Sequence, residues 1–104
     1  SITNRNRQII LNNIETANAF FNQFSNLFHW HAPKAGSVAL AKWLGKKPFL
    51  DVCQELLDQK GLMVLPGSVF DIGDNYFRLG LGRKTFADAI NQFSDWLNSA
   101  RGIY

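Results

Sequence analysis

The stretch PFLDVCQELLDQKGLMVLPG, residues 48–67, decides the fold, because a helical pattern changes to a strand pattern within it. Its first half has apolar residues at the helical spacings i, i+3, i+4, i+7 and i+8: Phe49, Val52, Cys53, Leu56 and Leu57. Pro48 suits the start of a helix and Gly61 suits the residue just beyond its end. We therefore predict a helix whose apolar stripe, Leu57 included, faces the core. Replacing Leu57 with alanine is predicted to cost roughly 2 to 5 kcal/mol.

Two strands are predicted after this helix. Leu62 to Leu65 is a short apolar run that Pro66 and Gly67 end. A cluster of turn-forming residues at 73–75 then leads into a second run, Tyr76 to Leu81. Alternation in that run predicts one apolar face, formed by Phe77, Leu79 and Leu81, and an opposite face formed by Tyr76, Arg78 and Gly80.

The part of the chain before residue 48 is predicted to contain one long helix and two strands. The helix, residues 1–25, has one apolar stripe: Ile10, Ile14, Ala17, Phe21 and Phe24. The strands, residues 27–31 and 37–44, are rich in aromatic, Val and Leu residues and are joined by a short turn.

A last helix is predicted from the capping residue Thr85 to near Gly102. The predicted order is helix, two strands, helix, two strands, helix. This order is typical of the α+β class, here a small, mainly antiparallel sheet with helices packed on one face. The 104 residues are predicted to form a single domain.

Composition favours a soluble, cytoplasmic protein. Eleven basic and eight acidic residues give a net charge of +3 that is spread along the chain, which does not favour nucleic-acid binding. Cys53 is the only cysteine, so no intrachain disulfide is possible, and its apolar neighbours predict a small buried side chain. No apolar run approaches the roughly 20 residues of a membrane span.

Four segments, in order along the chain, carry a resemblance to a known family. They are the turn and strand PKAGSVAL at 33–40, the helix at 49–57 with the strand GLMVL at 61–65, the bend PGSVF at 66–70, and the strand FRLGLG at 77–82. Together they resemble the C-terminal small domain of class I/II (fold-type I) aminotransferases, which depend on pyridoxal phosphate (PLP). Gly80 and Gly82 depart from the pattern, because many members have Ser or another small polar residue there. The resemblance implies that the helix at 1–25 bridges toward a large domain that this sequence lacks.

The resemblance implies that three residues bind substrate: Ala35, Gly36 and Arg78. In the family, the arginine of the last strand binds the substrate α-carboxylate. The residue pattern agrees, because Arg78 lies on the face opposite the apolar residues and Gly80 leaves room for a ligand. A guanidinium can make two parallel, charge-assisted hydrogen bonds to a carboxylate. The alternative is that Arg78 forms a surface ion pair with Asp71 or Asp74.

Transamination needs a Schiff-base lysine, an aspartate on the pyridine nitrogen and a phosphate cradle. None is recognisable among the six lysines and their surroundings: Lys34, Lys42, Lys46, Lys47, Lys60 and Lys84. We therefore expect no catalytic and no cofactor-binding residue in this chain, and expect the isolated chain to be inactive and to bind no PLP. The resemblance implies that the complete enzyme, usually a homodimer, holds PLP in its large domain. It would transfer an amino group between an amino acid and a 2-oxo acid, and this domain would supply Arg78 and a wall that closes over the substrate.

The alternative function is a free-standing α+β module that binds a small carboxylate or a protein partner on the face containing Arg78. A nucleic-acid binder is disfavoured, because the aromatic residues fall on core stripes without interleaved basic residues. His29 and His31 share a strand face, but no third ligand accompanies them, so no metal site is predicted.

Overall fold

The computed structural model describes residues 2–30, 38–67 and 75–99, which form three helices and three strands. The helices are α1 (Ile2–Gln23), α2 (Phe49–Lys60) and α3 (Phe86–Ser99), and the strands are β1 (Phe28–Trp30), β2 (Val38–Trp43) and β3 (Tyr76–Gly80). The predicted α+β class is confirmed, and both predicted strands before α2 are present. The predicted turn between them lies outside the described residues, as does the predicted last turn of α3.

The three strands form one antiparallel sheet in the order β1, β2, β3. Its inner face packs on the helices through aromatic rings. Phe49 of α2 stacks on Phe77 of β3 with 4.9 Å between ring centroids. Phe20 of α1 and Phe93 of α3 contact Phe28 of β1 at 5.4 and 5.6 Å. Because all three helices pack on these inward-facing rings, the prediction that the helices cover one face of the sheet is confirmed.

Helix α1 is stable through packing rather than through its composition. Asparagine is a poor helix former, and this helix contains several. Ala17 and Phe21 of the predicted stripe are buried, and Ile10 and Ile14 are partly buried against the core. Phe20, which the predicted stripe omits, is buried as well. The helix therefore buries a broader face than the strict spacing predicts.

The predicted strand from Leu62 to Leu65 is wrong. This segment has no strand assignment, and the only pairing of the neighbouring described residues with β3 is an isolated bridge between Pro66 and Phe77. Proline has no backbone N–H to donate, so it cannot extend a ladder from that bridge. The described elements therefore follow the order helix, two strands, helix, one strand, helix.

Helix α2 has the predicted ends but a narrower buried stripe. Gly61 has the left-handed φ of 65°, its N–H donates to the Leu57 carbonyl at 3.0 Å, and the Leu62 N–H donates to the Leu56 carbonyl at 3.2 Å. The left-handed glycine and its bond to the Leu57 carbonyl close the helix in an αL capping motif. Leu56 is 0% exposed, whereas Leu57 is 42% exposed. The prediction that Leu57 faces the core is therefore wrong, because α2 contacts the core through the face that contains Leu56.

No described helix is long and apolar enough to cross a membrane.

Candidate functional site

The sheet face opposite the helices, which we call the outer face, contains Arg78 in the middle of β3, an edge strand of the sheet. The outer face consists of His29 from β1, Val38, Leu40 and Lys42 from β2, and Tyr76, Arg78 and Gly80 from β3. The register places Arg78 opposite Leu40 and places Gly80 opposite Val38. Alternation along β3 sends Phe77 inward and Arg78 outward, as predicted from the sequence.

The outer face combines apolar and cationic groups. The side chains of Val38, Leu40 and Tyr76 are all exposed. The Lys42 ammonium lies 5.6 Å from the centroid of the Tyr76 ring, within the range of a cation–π interaction. The described residues of this face include no aspartate or glutamate. The chemistry of the face therefore suits a ligand or a protein surface that brings apolar groups and negative charge.

Space is open beside Arg78. A Cβ atom built on Gly80, two residues along β3, would meet no heavy atom within 4 Å. The glycine therefore leaves an approach to the Arg78 side chain, and the backbone does not require a glycine there for steric reasons. Two predicted substrate-binding residues, Ala35 and Gly36, lie outside the described residues, as do Asp71 and Asp74 of the alternative ion-pair interpretation.

A cleft of about 660 Å³ borders the edge of β3 that faces away from β2. It lies between this strand and the segment Leu62–Leu65, where the predicted fourth strand is missing. Its apolar lining includes buried core rings and aliphatic side chains: Phe77, Phe86, Ile90 and Phe93. Arg78 and Arg83 contribute positive charge to the lining, and Asp88 contributes negative charge. The cleft thus connects the outer face with the side of the sheet on which the helices pack.

Asn13 is a buried polar residue that the sequence analysis missed. It is 6% exposed, and its Nδ2 amide donates hydrogen bonds to the carbonyls of Leu81 and Arg83, both at 2.8 Å. These carbonyls belong to the turn that directly follows β3. The signal was available, because Asn13 stands between Ile10 and Ala17 at the helical spacings of three and four residues. A polar residue within an apolar stripe indicates a buried hydrogen-bonding role.

Two of the described lysines, Lys42 and Lys47, have contacts that do not suit a Schiff-base lysine. Lys47, which is half-buried, forms an ion pair with Glu55 of α2. Lys42 lies against the Tyr76 ring on the outer face. A Schiff-base lysine is activated by an apolar pocket or a neighbouring cation, whereas Lys47 is paired with a carboxylate and Lys42 lies on an open sheet face. No step of catalysis can be derived through PLP from these residues.

Cys53 and the histidine of β1 add no further chemistry. Burial raises the pKa of the Cys53 thiol from 9.0 to about 11, so the thiolate is scarce at neutral pH and the group is a poor nucleophile. Within residues 2–30, 38–67 and 75–99, no three His, Cys, Asp or Glu side chains are grouped so that they could hold a metal ion. The second histidine of the predicted pair, His31, lies outside the described residues.

Comparison with known proteins supports the resemblance at the level of the fold. No protein-family model matches the chain, and no curated protein sequence matches it. A solved PLP-dependent aminotransferase from Streptococcus suis 89-1591 superposes with a TM-score of 0.77 and 26% sequence identity, over 92% of this chain and 26% of that one.

Two further solved structures extend this match. The α-aminoadipate aminotransferase LysN from Thermus thermophilus gives a TM-score of 0.71 at 14% identity, over 94% of this chain and 27% of that one. The PLP-dependent cyclase OrfR gives 0.72 at 22% identity, over 86% and 26%. The chain thus spans about a quarter of the length of each of these proteins. The recognition made from the sequence is confirmed, because this chain has the fold of a small part of the fold-type I, PLP-dependent aminotransferases.

Proposed function

We propose that this chain is the C-terminal small domain of a PLP-dependent aminotransferase, which transfers an amino group between an amino acid and a 2-oxo acid. The observation that carries the proposal is the position of Arg78, exposed on the outer face in the middle of β3, in a fold that such enzymes share. The whole chain, residues 1–104, would act as one domain, and α1 would bridge toward the large domain.

In this proposal Arg78 binds the α-carboxylate of the substrate. Its guanidinium offers a planar pair of donors, and two parallel hydrogen bonds fix both the position and the orientation of a carboxylate. Leu40 lies opposite Arg78 in the register and gives the site an apolar wall. Covering this wall would exclude water and so strengthen the interaction between the two charges.

The outer face would form the wall that closes over the substrate. Its exposed apolar side chains would be covered by the large domain of the same enzyme, which would also hold PLP. When bound, this cofactor supplies the electron sink for breaking a bond at the substrate Cα. The residues of the present chain would bind the carboxylate, orient the substrate and exclude water. Movement of a small domain over its substrate is a common way to complete an active site.

The test is the replacement of Arg78 in an enzyme chain that contains this domain. We expect Arg78→Ala to lower kcat/KM by about 10² or more, which corresponds to about 3 kcal/mol of transition-state stabilisation, and Arg78→Lys to recover only part. The melting temperature should change little, because Arg78 is exposed. Arg7→Ala, which removes an exposed arginine of α1 that does not line the cleft, is the matched control. Retained activity with a weakened fold would show that Arg78 is a structural ion-pair residue.

The exposed outer face also fits the alternative function, a free-standing module that binds a small carboxylate. In that case the chain of 104 residues should bind a short carboxylate saturably, and Arg78→Ala should abolish the heat of binding in a calorimetric titration. An open reading frame that continues upstream and encodes a cofactor lysine would instead support the enzyme.

A further inference from the structure

We propose that Asn13 is a positioning residue for Arg78, because it holds the end of the strand that contains this arginine. Its Nδ2 amide donates to the Leu81 and Arg83 carbonyls, which are three and five residues beyond Arg78. One side chain of α1 therefore fixes the turn between β3 and α3. The consequence for catalysis rests on the function proposed for Arg78, whereas the anchoring itself does not.

The anchor matters because β3 is an edge strand, and little else holds the edge that faces away from β2. Strand β2 pairs with β3 along its whole length. On the opposite side, the described residues pair with β3 only at the Pro66–Phe77 bridge, and the cleft borders the strand from there onward. The half of β3 that contains Arg78 and Gly80 thus lies between β2 and an open space. The hydrogen bonds of Asn13 hold the chain at the point where this half ends.

The two hydrogen bonds need a side chain with two N–H donors, because both amide hydrogens of Asn13 are used. A primary amide has two N–H donors, and here each donates to a different carbonyl at 2.8 Å. An apolar side chain at this position would leave both carbonyls without this donor, and a buried carbonyl without a partner is costly. Asn13 also lies in the middle of α1, where partly buried Ile14 and buried Ala17 hold the helix against the core. A shift of α1 would therefore move the turn after β3 with it.

This arrangement connects α1 to the substrate site. If α1 bridges toward a cofactor-binding domain, a movement of that helix reaches the turn after Arg78 through a single side chain. Asn13 would then keep the arginine in register with the incoming carboxylate as the domain closes. It acts through the backbone of β3 and does not itself touch the substrate.

Hydrogen–deuterium exchange measured by NMR on this chain tests the anchor. The Trp43 N–H donates to the Asn75 carbonyl, so these two residues form a hydrogen-bonded pair of the ladder between β2 and β3. Such pairs recur at every second residue, so Leu79 and its partner Ala39 form another one, and the Leu79 N–H points toward β2. We expect Asn13→Leu to speed the exchange of the Leu79 amide at least tenfold relative to the Val52 amide in the core of α2. The control Asn22→Leu makes the same change at an exposed site on the same helix and should leave this ratio unchanged. Equal acceleration at Leu79 and Val52, or none at either, would overturn the proposal.

A measurement on the unaltered chain covers the case in which Asn13→Leu does not fold. If Asn13 anchors β3, its Nδ2 hydrogens and the Leu79 amide should become accessible in the same opening event, with protection factors that agree within about tenfold. Asn13 hydrogens that exchange more than a hundredfold faster than the Leu79 amide would show that β3 stays in place without the anchor.

The role in catalysis is measured separately, in an enzyme chain that contains this domain. The readout is kcat/KM for an amino acid divided by kcat/KM for the corresponding amine without the carboxylate. We expect Asn13→Leu to lower this ratio about tenfold, mainly through KM, and Arg78→Ala to lower it further. If Arg78→Ala leaves the ratio unchanged, the proposed function fails, and the exchange experiment still decides whether Asn13 anchors β3. If only Asn13→Leu leaves it unchanged, the positioning role is refuted.

Discussion

The adjacent residues Leu56 and Leu57 provide a test of how α2 packs on the core. Leu56 is 0% exposed and Leu57 is 42% exposed. Replacement of Leu56 with alanine removes three buried carbon atoms, which at about 0.8 kcal/mol each gives roughly 2 kcal/mol. The cavity that remains in a packed core adds to this loss, so we expect about 3 kcal/mol for Leu56→Ala. Leu57→Ala opens toward solvent and leaves no closed cavity, and we expect a loss below about 1 kcal/mol.

Urea denaturation followed by circular dichroism measures both variants under the same conditions. The slope of the unfolding free energy against urea concentration should match that of the parent, so that the midpoint alone reports stability. The reasoning would be refuted if Leu57→Ala lost as much stability as Leu56→Ala, since α2 would then be rotated by about 100° from its position in the structure.

Two further predictions concern α2 and its end. At pH 8 a thiol reagent should modify Cys53 much more slowly than free cysteine, because burial raises the thiol pKa from 9.0 to about 11. For the same reason, the contribution of the neutral thiol to folding stability should be complete below pH 9 and be lost as the pH rises through about 11. Gly61→Ala, at the end of α2, should lower the free energy of unfolding by about 1 kcal/mol, because the left-handed φ of 65° disfavours a side chain. The control Gly80→Ala lies in β3, in open space and without a positive φ, and should stay within about 0.5 kcal/mol of the parent. Equal losses in the two variants would contradict this account.

Local patterns in the sequence were sufficient for most elements of the fold. The helical spacing from Phe49 to Leu56 and the glycine after Lys60 predicted α2, because a periodic stripe and a left-handed cap depend on neighbouring residues only. The alternation around Arg78 predicted its outward direction for the same reason.

The errors arose where the outcome depends on distant contacts. Leu62–Leu65 has the composition of a strand, but a strand forms only if a partner edge lies at the right distance, and the segment meets β3 at one bridge. Leu57 satisfies the helical spacing as well as Leu56 does, and only the direction from which the core contacts α2 separates them. The place of Asn13 within an apolar stripe indicates burial, but its partners, the Leu81 and Arg83 carbonyls, lie about 70 residues along the chain and no local pattern identifies them.

The one-sided burial of the sheet has a consequence for how the protein can change during evolution. Ala41 and Phe77 face inward as a register pair, so substitutions there act directly on stability. Their neighbours Leu40 and Arg78 face outward as the next pair, where a substitution changes the chemistry offered to a ligand with little effect on packing. Because these two sets alternate along the same strands, ligand preference can diverge among descendants while the inward residues, and with them the fold, are retained.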